Sequence, residues 1–181
     1  MFGGPIRFDP ASNLAAQAGL IKALAWCSLD RARPTVGDRE RNLAAPLQIS
    51  ADDFARAEMA WLGHDGLEHE WASDWWCNPP FNAKAMRLFL ARFDAERIRG
   101  SRGIVMLNCD PSNAGQLELL RHCLVAYPLA RIGFWMPSGQ RLDDNRAAQL
   151  LFGVNCTARD WERGMTSLAV LGRPWNGVRR K

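Results

Sequence analysis

Continuous apolar runs alternate with amphipathic segments along this chain, and the alternation constrains the fold more than any other feature. The run Gly103 to Leu107 has the apolar character of a strand buried on both faces. The segment before it places apolar residues at helical spacing, namely Met86, Phe89, Leu90 and Phe93. This order predicts an α/β fold with a mostly parallel sheet covered by helices on both faces. In such sheets, ligands bind at the carboxyl ends of the strands.

Capping and turn residues predict where the elements begin and end. Ser12 and Asn13 are good N-caps and predict a helix over about Asn13 to Trp26, whereas Asp30 to Ser50 lacks a period and predicts a loop. Two prolines after Cys77 predict the end of a strand, because proline cannot continue a central strand. The remaining helices are predicted over Ala51 to Leu62, with Ser50 and Asp52 as candidate caps, after the cap Asn82, and after Asp110 and Ser112. The remaining strands are predicted at Leu129 to Met136, Leu150 to Val154 and Ser167 to Leu171.

The length of 181 residues predicts a single domain spanning 1–181, with an insertion at about 30–60 and a basic tail at 179–181. A composition of 48% hydrophobic and 23% charged residues is typical of a folded globular chain. No apolar run approaches the ~20 residues of a membrane span. Residues 1–9 lack the pattern of a secretory signal, so we expect a cytoplasmic protein. Five widely spaced cysteines argue against a disulfide framework and a zinc ribbon.

The chain carries 23 basic and 19 acidic side chains, a formal net charge of +4 that suits a polyanionic partner. We expect double-stranded DNA to be held by Arg39 and Arg41 in the insertion and by Arg141 and Arg146 on the other side of the site. The alternative is that these arginines are ordinary solvated surface residues. His64, His69 and Glu70 lack the spacing of metal ligands, and no metal is expected.

The sequence Asn78-Pro79-Pro80-Phe81 carries the most specific chemistry. Each proline fixes φ and restricts the residue before it, so the Asn78 amide and the Pro79 carbonyl can be held rigidly toward one point. Two acceptors at that point would hold both hydrogens of an exocyclic amine and leave its lone pair free to attack. Phe81 offers a flat face on which an extruded base can stack. The alternative is a tight turn that follows a strand.

Together with Phe8-Asp9-Pro10-Ala11-Ser12-Asn13 and His64-Asp65-Gly66-Leu67, this tetrapeptide resembles the phage-type, Dam-like DNA N6-adenine methyltransferases. The resemblance covers about residues 5–107, with a looser likeness through 130–155. It implies a Rossmann-like fold that uses S-adenosylmethionine to methylate the exocyclic amine of a flipped adenine in DNA. It also implies a phage or prophage setting.

The resemblance assigns roles to individual residues. Asn78, Pro79, Pro80 and Phe81 match the catalytic tetrapeptide, and Asn78 also borders the cofactor. Asp9 and Pro10, with Ser12 nearby, match the motif that holds the methionine part of the cofactor. Asp65 matches the acidic residue that meets the cofactor adenine, and Asp30 is a candidate for its ribose. Ala11, Ser12 and Asn13 stand where many methyltransferases have glycines.

Other interpretations remain open at this point. The same tetrapeptide serves methyltransferases that act on RNA bases or on a protein glutamine amide. A DNA-binding remnant without cofactor is a further alternative, because the glycine-rich loop is missing. Asp9 can equally cap the first helix, and Asp65-Gly66 is an ordinary turn signal. Trp75 and Trp76 are expected to face opposite sides of a strand, so only one of them can line a site.

Overall fold

The computed structural model describes residues 4–28, 49–110, 112–127, 134–135, 141–142 and 147–169. For 134–135, 141–142 and 165–169 it describes the backbone alone. The candidate phosphate contacts Arg39, Arg41 and Arg146 and the candidate ribose contact Asp30 therefore lie outside the described residues. Of Arg141, only the backbone is described.

Nine strands and five helices form the described part of the chain. The strands are β1 Asp9–Ser12, β2 Trp26–Ser28, β3 Trp61–His64, β4 Trp75–Cys77, β5 Gly103–Asn108, β6 Leu124–Ala126, β7 Phe134–Trp135, β8 Arg141–Leu142 and β9 Gln149–Val154. The helices are α1 Leu14–Ala16, which continues as a π-helical turn over Gln17–Ile21, α2 Ala51–Met59, α3 Ala83–Arg99, α4 Ala114–His122 and α5 Ala158–Ala169.

Seven of the strands lie side by side. β1, β2 and β3 are parallel neighbours in that order, and β4, β5, β9 and β6 form a second sheet in which β9 is antiparallel to both of its neighbours. A parallel bridge between Phe8 and Trp75 joins β1 to β4. The combined order is therefore β3-β2-β1-β4-β5-β9-β6. The described fold is mixed α/β, as the sequence predicts.

The chain reverses its direction of travel across the sheet between β3 and β4. Because β1 and β4 are adjacent while their following segments run to opposite sides, a crevice opens at their carboxyl ends. β1 ends at Ser12 and β4 ends at Cys77, so the chain leaves both strands at this crevice, from Asn13 and from Asn78 onward. Open α/β sheets bind their ligands at such points.

Helices cover both faces of the sheet. Along β5, Val105 and Leu107 pack toward α3 and α4, whereas Ile104 and Met106 pack toward Trp161 of α5. This alternation explains why the strand is apolar throughout. As expected, Trp75 and Trp76 face opposite sides, since Trp75 lies in the larger cluster and Trp76 packs against the one beneath α5.

The N-caps at Asn13, Ser50 and Asn82 are confirmed by bonds from the backbone N–H groups of the first helical turns. For α4 the prediction was wrong, because Asn113 caps the helix, and Asp110 accepts from Ser112 in the turn before it. The cap position goes to the residue whose side chain reaches the free N–H groups.

Three predicted boundaries were wrong. The first helix ends at Ile21 rather than near Trp26, which lies in β2, and the helix after Ser50 ends at Met59, so that Trp61 belongs to β3. Residues 167–169 lie in α5 and not in a strand. A short apolar run fits a buried strand and a buried helix equally well, so the pattern cannot separate them.

Residues 49–60 of the expected insertion belong to the core, where Ile49, Phe54 and Ala57 pack against Leu14, Ala18 and Trp26. The rest of the expected insertion, through residue 48, lies outside the described residues. In the described part of the chain, no helix is long and apolar enough to cross a bilayer.

We predict that Gly103→Ala lowers the free energy of unfolding by about 1–3 kcal/mol, because a Cβ at this position overlaps the fully buried ring of Trp75. Gly4→Ala is the matched control, since a Cβ at Gly4 meets nothing within 4 Å. Urea unfolding of both variants, followed by tryptophan fluorescence, measures the difference. Equal stability of the two variants would contradict the close packing of β4 on β5.

Candidate functional site at the carboxyl ends of β1 and β4

The segment Asn78–Phe81 leaves the end of β4 and runs into the cap of α3. Pro79 is buried, Asn78 is half-buried, and the ring of Phe81 is 40% exposed. Asn82 then caps α3 by accepting from the N–H of Ala85 at 2.9 Å. The two prolines and the cap hold the segment at both ends, so its polar atoms occupy fixed positions.

The side-chain oxygen of Asn78 is buried and accepts no hydrogen bond from the residues that the structure describes. A buried acceptor without a donor costs ~1–3 kcal/mol, and nearly all buried polar atoms in folded proteins avoid that cost. The backbone carbonyl of Pro79 likewise receives no hydrogen bond in the described part of the chain, so two consecutive residues each leave one acceptor unused. Their unused capacity suits a ligand that brings two N–H donors.

Asp9 lies fully buried at the start of β1 and is bound entirely by its own neighbours. Its carboxylate accepts from the N–H of Ala11 at 3.2 Å and from Nε2 of Gln17 at 2.8 Å. The same Nε2 contacts the hydroxyl of Ser12 at 2.8 Å, and the side-chain oxygen of Gln17 accepts from the N–H of Ala23. The buried side chain of Gln17 thus stabilises the turn after β1. Gln17 also begins a π-helical turn, a feature found often at functional sites.

Burial raises the pKa of Asp9 from 3.8 to about 7, against the opposing effect of the bonds from Ala11, Ser12 and Gln17. Two buried thiols lie near this carboxylate. Burial raises the pKa of Cys27 to about 12, with the charges of Asp9 and Asp65 adding to the effect. Burial, and then the charge of Asp9, likewise raises the pKa of Cys77. Both thiols are therefore protonated near neutral pH and act as packing residues.

Asp65 stands at the end of β3 with its carboxylate exposed. Its backbone N–H donates to the carbonyl of Ser28 at the end of β2, and its φ of 56° lies in the left-handed region. Gly66 then lies directly on Pro10, so closely that a Cβ there would overlap the Pro10 carbonyl and ring. The Asp-Gly pair is thus both a turn and the contact that joins the β3 loop to β1.

Trp71, Arg92 and Glu96 hold this loop, and the sequence singled out only Trp71, which follows the Asp65 motif. The indole of Trp71 donates to the carbonyl of Gly66 at 2.7 Å. Arg92 of α3 donates to the carbonyl of His69 at 2.8 Å and lies 5.3 Å over the ring of Trp71. Buried Glu96 pairs with Arg92 at 2.8 Å. An arginine and a glutamate four residues apart on a helix were the only signal, and that spacing is typical of solvated helix surfaces as well.

Most of the predicted site residues therefore meet at one end of the sheet. Pro10 touches Gly66, and the Phe8–Trp75 bridge sets Asp9 beside the strand that leads to Asn78. Asp65 and Phe81 offer surface to a ligand. Asp9 and Ser12 do not, since they are 0% and 7% exposed, and buried Pro10 is covered by Gly66. In this conformation the three β1 residues shape the turn and do not face solvent.

A cavity of about 710 Å³ lies between α3 and α4 and reaches Phe81 at one end. Its walls include Met86 and Arg87 of α3, Asn108 at the end of β5, and Asn113 and Gln116 of α4. Neither Asn78 nor Asp65 lines it. The cavity is therefore next to the tetrapeptide, on the β5 side. Within the described ranges, no group of three or more His, Cys, Asp or Glu side chains is arranged to hold a metal ion.

We predict that Asp9 makes the stability of the protein fall as pH rises from about 4 to 7. Because its pKa is raised in the folded state, the folded protein keeps a proton that the unfolded chain releases above pH ~4. The favourable contribution is complete below about 4 and lost as pH passes about 7. Asp9→Asn removes this slope, which urea unfolding across the pH series measures.

Asp53→Asn is the control of opposite sign, because the hydrogen bond from Lys22 lowers the pKa of Asp53. Its contribution is lost as pH falls. Parallel stability curves for wild type and Asp9→Asn would show that the buried carboxylate does not titrate in this range.

Comparison with known proteins assigns no family to the chain. No protein-family model matches it, and no curated protein matches its sequence. What the site does is therefore inferred from its own residues and geometry.

Proposed function

We propose that this protein is a Rossmann-like, S-adenosylmethionine-dependent methyltransferase that methylates N6 of an adenine flipped out of double-stranded DNA. The observation that carries the proposal is the buried side-chain oxygen of Asn78, which has no donor among the described residues and directly precedes Pro79 in the chain. An exocyclic amine supplies the two N–H groups that this oxygen and the Pro79 carbonyl lack. The exposed ring of Phe81, three residues on, provides the stacking surface for the base that carries the amine.

The strand order supports the fold. β3-β2-β1-β4-β5 follows the doubly wound order of dinucleotide-binding sheets, with the tetrapeptide at the point where the order reverses. One antiparallel strand, β9, lies between β5 and β6. Mixed sheets of this kind are common among large α/β folds.

The cofactor fits the crevice on the β1 and β3 side of the tetrapeptide. The exposed carboxylate of Asp65, at the end of β3, is suited to accept from the adenine amino group of S-adenosylmethionine. Asp9 acts differently from what the resemblance implies, because its carboxylate is enclosed by Gln17 and Ala11. It supports the turn from Ala11 to Asn13, whose backbone borders the crevice in place of a glycine-rich loop.

S-adenosylmethionine, when bound, supplies a methyl group on an excellent leaving group. The chain's own residues therefore need only position the amine and hold its developing positive charge. Asn78 and Pro79 accept the two amine hydrogens, so the nitrogen lone pair points away from both. Their acceptor oxygens stabilise the positive charge on nitrogen without moving, because the prolines and the α3 cap hold them in place.

We predict that Asn78→Ser lowers methyl transfer by about 100-fold or more, since one preorganised acceptor is lost at the reacting group. The measurement uses labelled S-adenosylmethionine with unmethylated DNA and nucleoside analysis of the product. Cofactor affinity, followed by calorimetric titration, stays nearly unchanged.

Asn82→Ser is the matched control, because it removes the same amide four residues away while serine still caps α3. It keeps activity within a few-fold of wild type. Full activity of Asn78→Ser would end the catalytic assignment. If the label appears in RNA or in a protein glutamine, that polymer is the substrate and not DNA. If wild type does not bind the cofactor, the protein is a DNA-binding remnant and not an enzyme of this kind.

A further inference from the structure

We propose that the cavity between α3 and α4 binds the nucleotide next to the target adenine and contributes to the choice of sequence. This inference rests on the proposed function. Phe81 belongs both to the tetrapeptide and to the cavity wall, whereas Asn78 does not line the cavity. The reacting amine is thus outside it, and a base stacked on Phe81 separates Asn78 from the cavity. The DNA strand that carries the target adenine would continue into the space beyond Phe81.

The size of the cavity suits one nucleotide. Its volume of about 710 Å³ lies within the 300–1,000 Å³ range typical of sites for small molecules. Met86 and Leu90 give its α3 wall an apolar surface against which a base ring can lie. Ala114 and Gly115 line the α4 side, where Gly115 lies so close to α3 that a Cβ there would meet Leu90 at 3.0 Å.

Two asparagines in the wall each have an oxygen engaged and an amide NH₂ unengaged. Asn108 Oδ1 accepts from Gln149 at 3.1 Å, and Asn113 Oδ1 accepts from the N–H groups of Gly115 and Gln116 as the cap of α4. Among the described residues, neither NH₂ group has an acceptor. These bonds fix which way each amide is turned, so both residues present donors. The cavity therefore favours a base edge with acceptor atoms.

Two of the three carboxylates in the cavity wall are paired with arginines, and the third, Asp110, is hydrogen-bonded but forms no ion pair among the described residues. Asp94 pairs with Arg97 at 2.7 Å, and Glu118 pairs with Arg121 at 3.1 Å and contacts His122 at 2.8 Å. Asp110 accepts from Ser112. Arg87 is exposed and forms no ion pair in the part of the chain that the structure describes. It is the cation left to contact a phosphate at the Phe81 end of the cavity.

Two substitutions test the donors without removing the local structure. Asn108→Asp keeps the oxygen that accepts from Gln149, and Asn113→Asp keeps a good N-cap for α4. Each one replaces a donor with an acceptor. With a DNA library randomised around adenine, sequencing of the methylated products should show the preference at one adjacent position falling by about tenfold or more. Asn82→Asp adds the same charge at the α3 cap, outside the cavity, and should keep the wild-type preference.

Arg87→Ala tests the phosphate contact through binding alone. The affinity for a short, fluorescent single-stranded DNA, measured by anisotropy at several salt concentrations, should show a salt slope smaller in magnitude by about 0.7. Arg159→Ala is the matched control, because this exposed arginine lies on α5, whose Asp160 contacts Arg102 at the amino end of β5. Its slope should equal that of wild type.

The outcomes separate this inference from the proposed function. If wild type methylates DNA while the two aspartate variants keep its preference and Arg87→Ala keeps its salt slope, the cavity is not a nucleotide site and the methyltransferase assignment stands. If Arg87→Ala changes the salt slope but wild type transfers no methyl group, the nucleotide site is supported and the methyltransferase assignment is wrong. If wild type neither binds nor methylates DNA, both are wrong.

Discussion

The junction between β1 and β4 is the contact on which the rest of the structure depends. The backbone supplies a single parallel bridge, Phe8 to Trp75, with flanking bonds from Arg7 to Asp74 and from Trp76 to Phe8. Aromatic packing supplies the rest, since the ring of Trp71 lies edge-on to both Phe8 and Trp75, with centroids 6.2 and 5.0 Å away. Through this junction, a parallel three-stranded sheet and a mixed four-stranded sheet become one, and the ends of β1 and β4 become the two sides of one crevice.

The two polar groups at that crevice carry opposite kinds of cost. Asp9 is buried with its hydrogen bonds made, and the cost appears as a raised pKa. The side-chain oxygen of Asn78 is buried without a donor among the described residues, and that cost is recovered only when a ligand donates to it. A satisfied group suits a supporting role and an unsatisfied one suits a binding role. The geometry therefore leaves Asn78 able to bind a ligand, whereas Asp9, to which the resemblance assigns a ligand contact, supports the turn.

The sequence predicted local features well wherever the physics is local. Asn13, Ser50 and Asn82 cap helices because a short polar side chain can bond to the N–H groups of the next turn. The boundaries near Trp26, Trp61 and residues 167–169 were missed, because apolar residues at those positions suit either a strand or a helix. The role of Gln17 left no sequence signal, since a glutamine in a helix is ordinary and only its contacts with Asp9 and Ser12 distinguish it.

The sequence by itself determined the α/β class and the rigid Asn78-Pro79-Pro80-Phe81 segment, because apolar periodicity and the fixed φ of proline act over a few residues. Only the tertiary structure decided that β1 lies beside β4, that Gly66 rests on Pro10, and that Asp9 faces inward while Asp65 faces out. It also created the cavity beyond Phe81, which needs α3 and α4 side by side. These features join residues far apart in the chain, and their burial and spacing are set by how the sheet and helices pack rather than by local sequence.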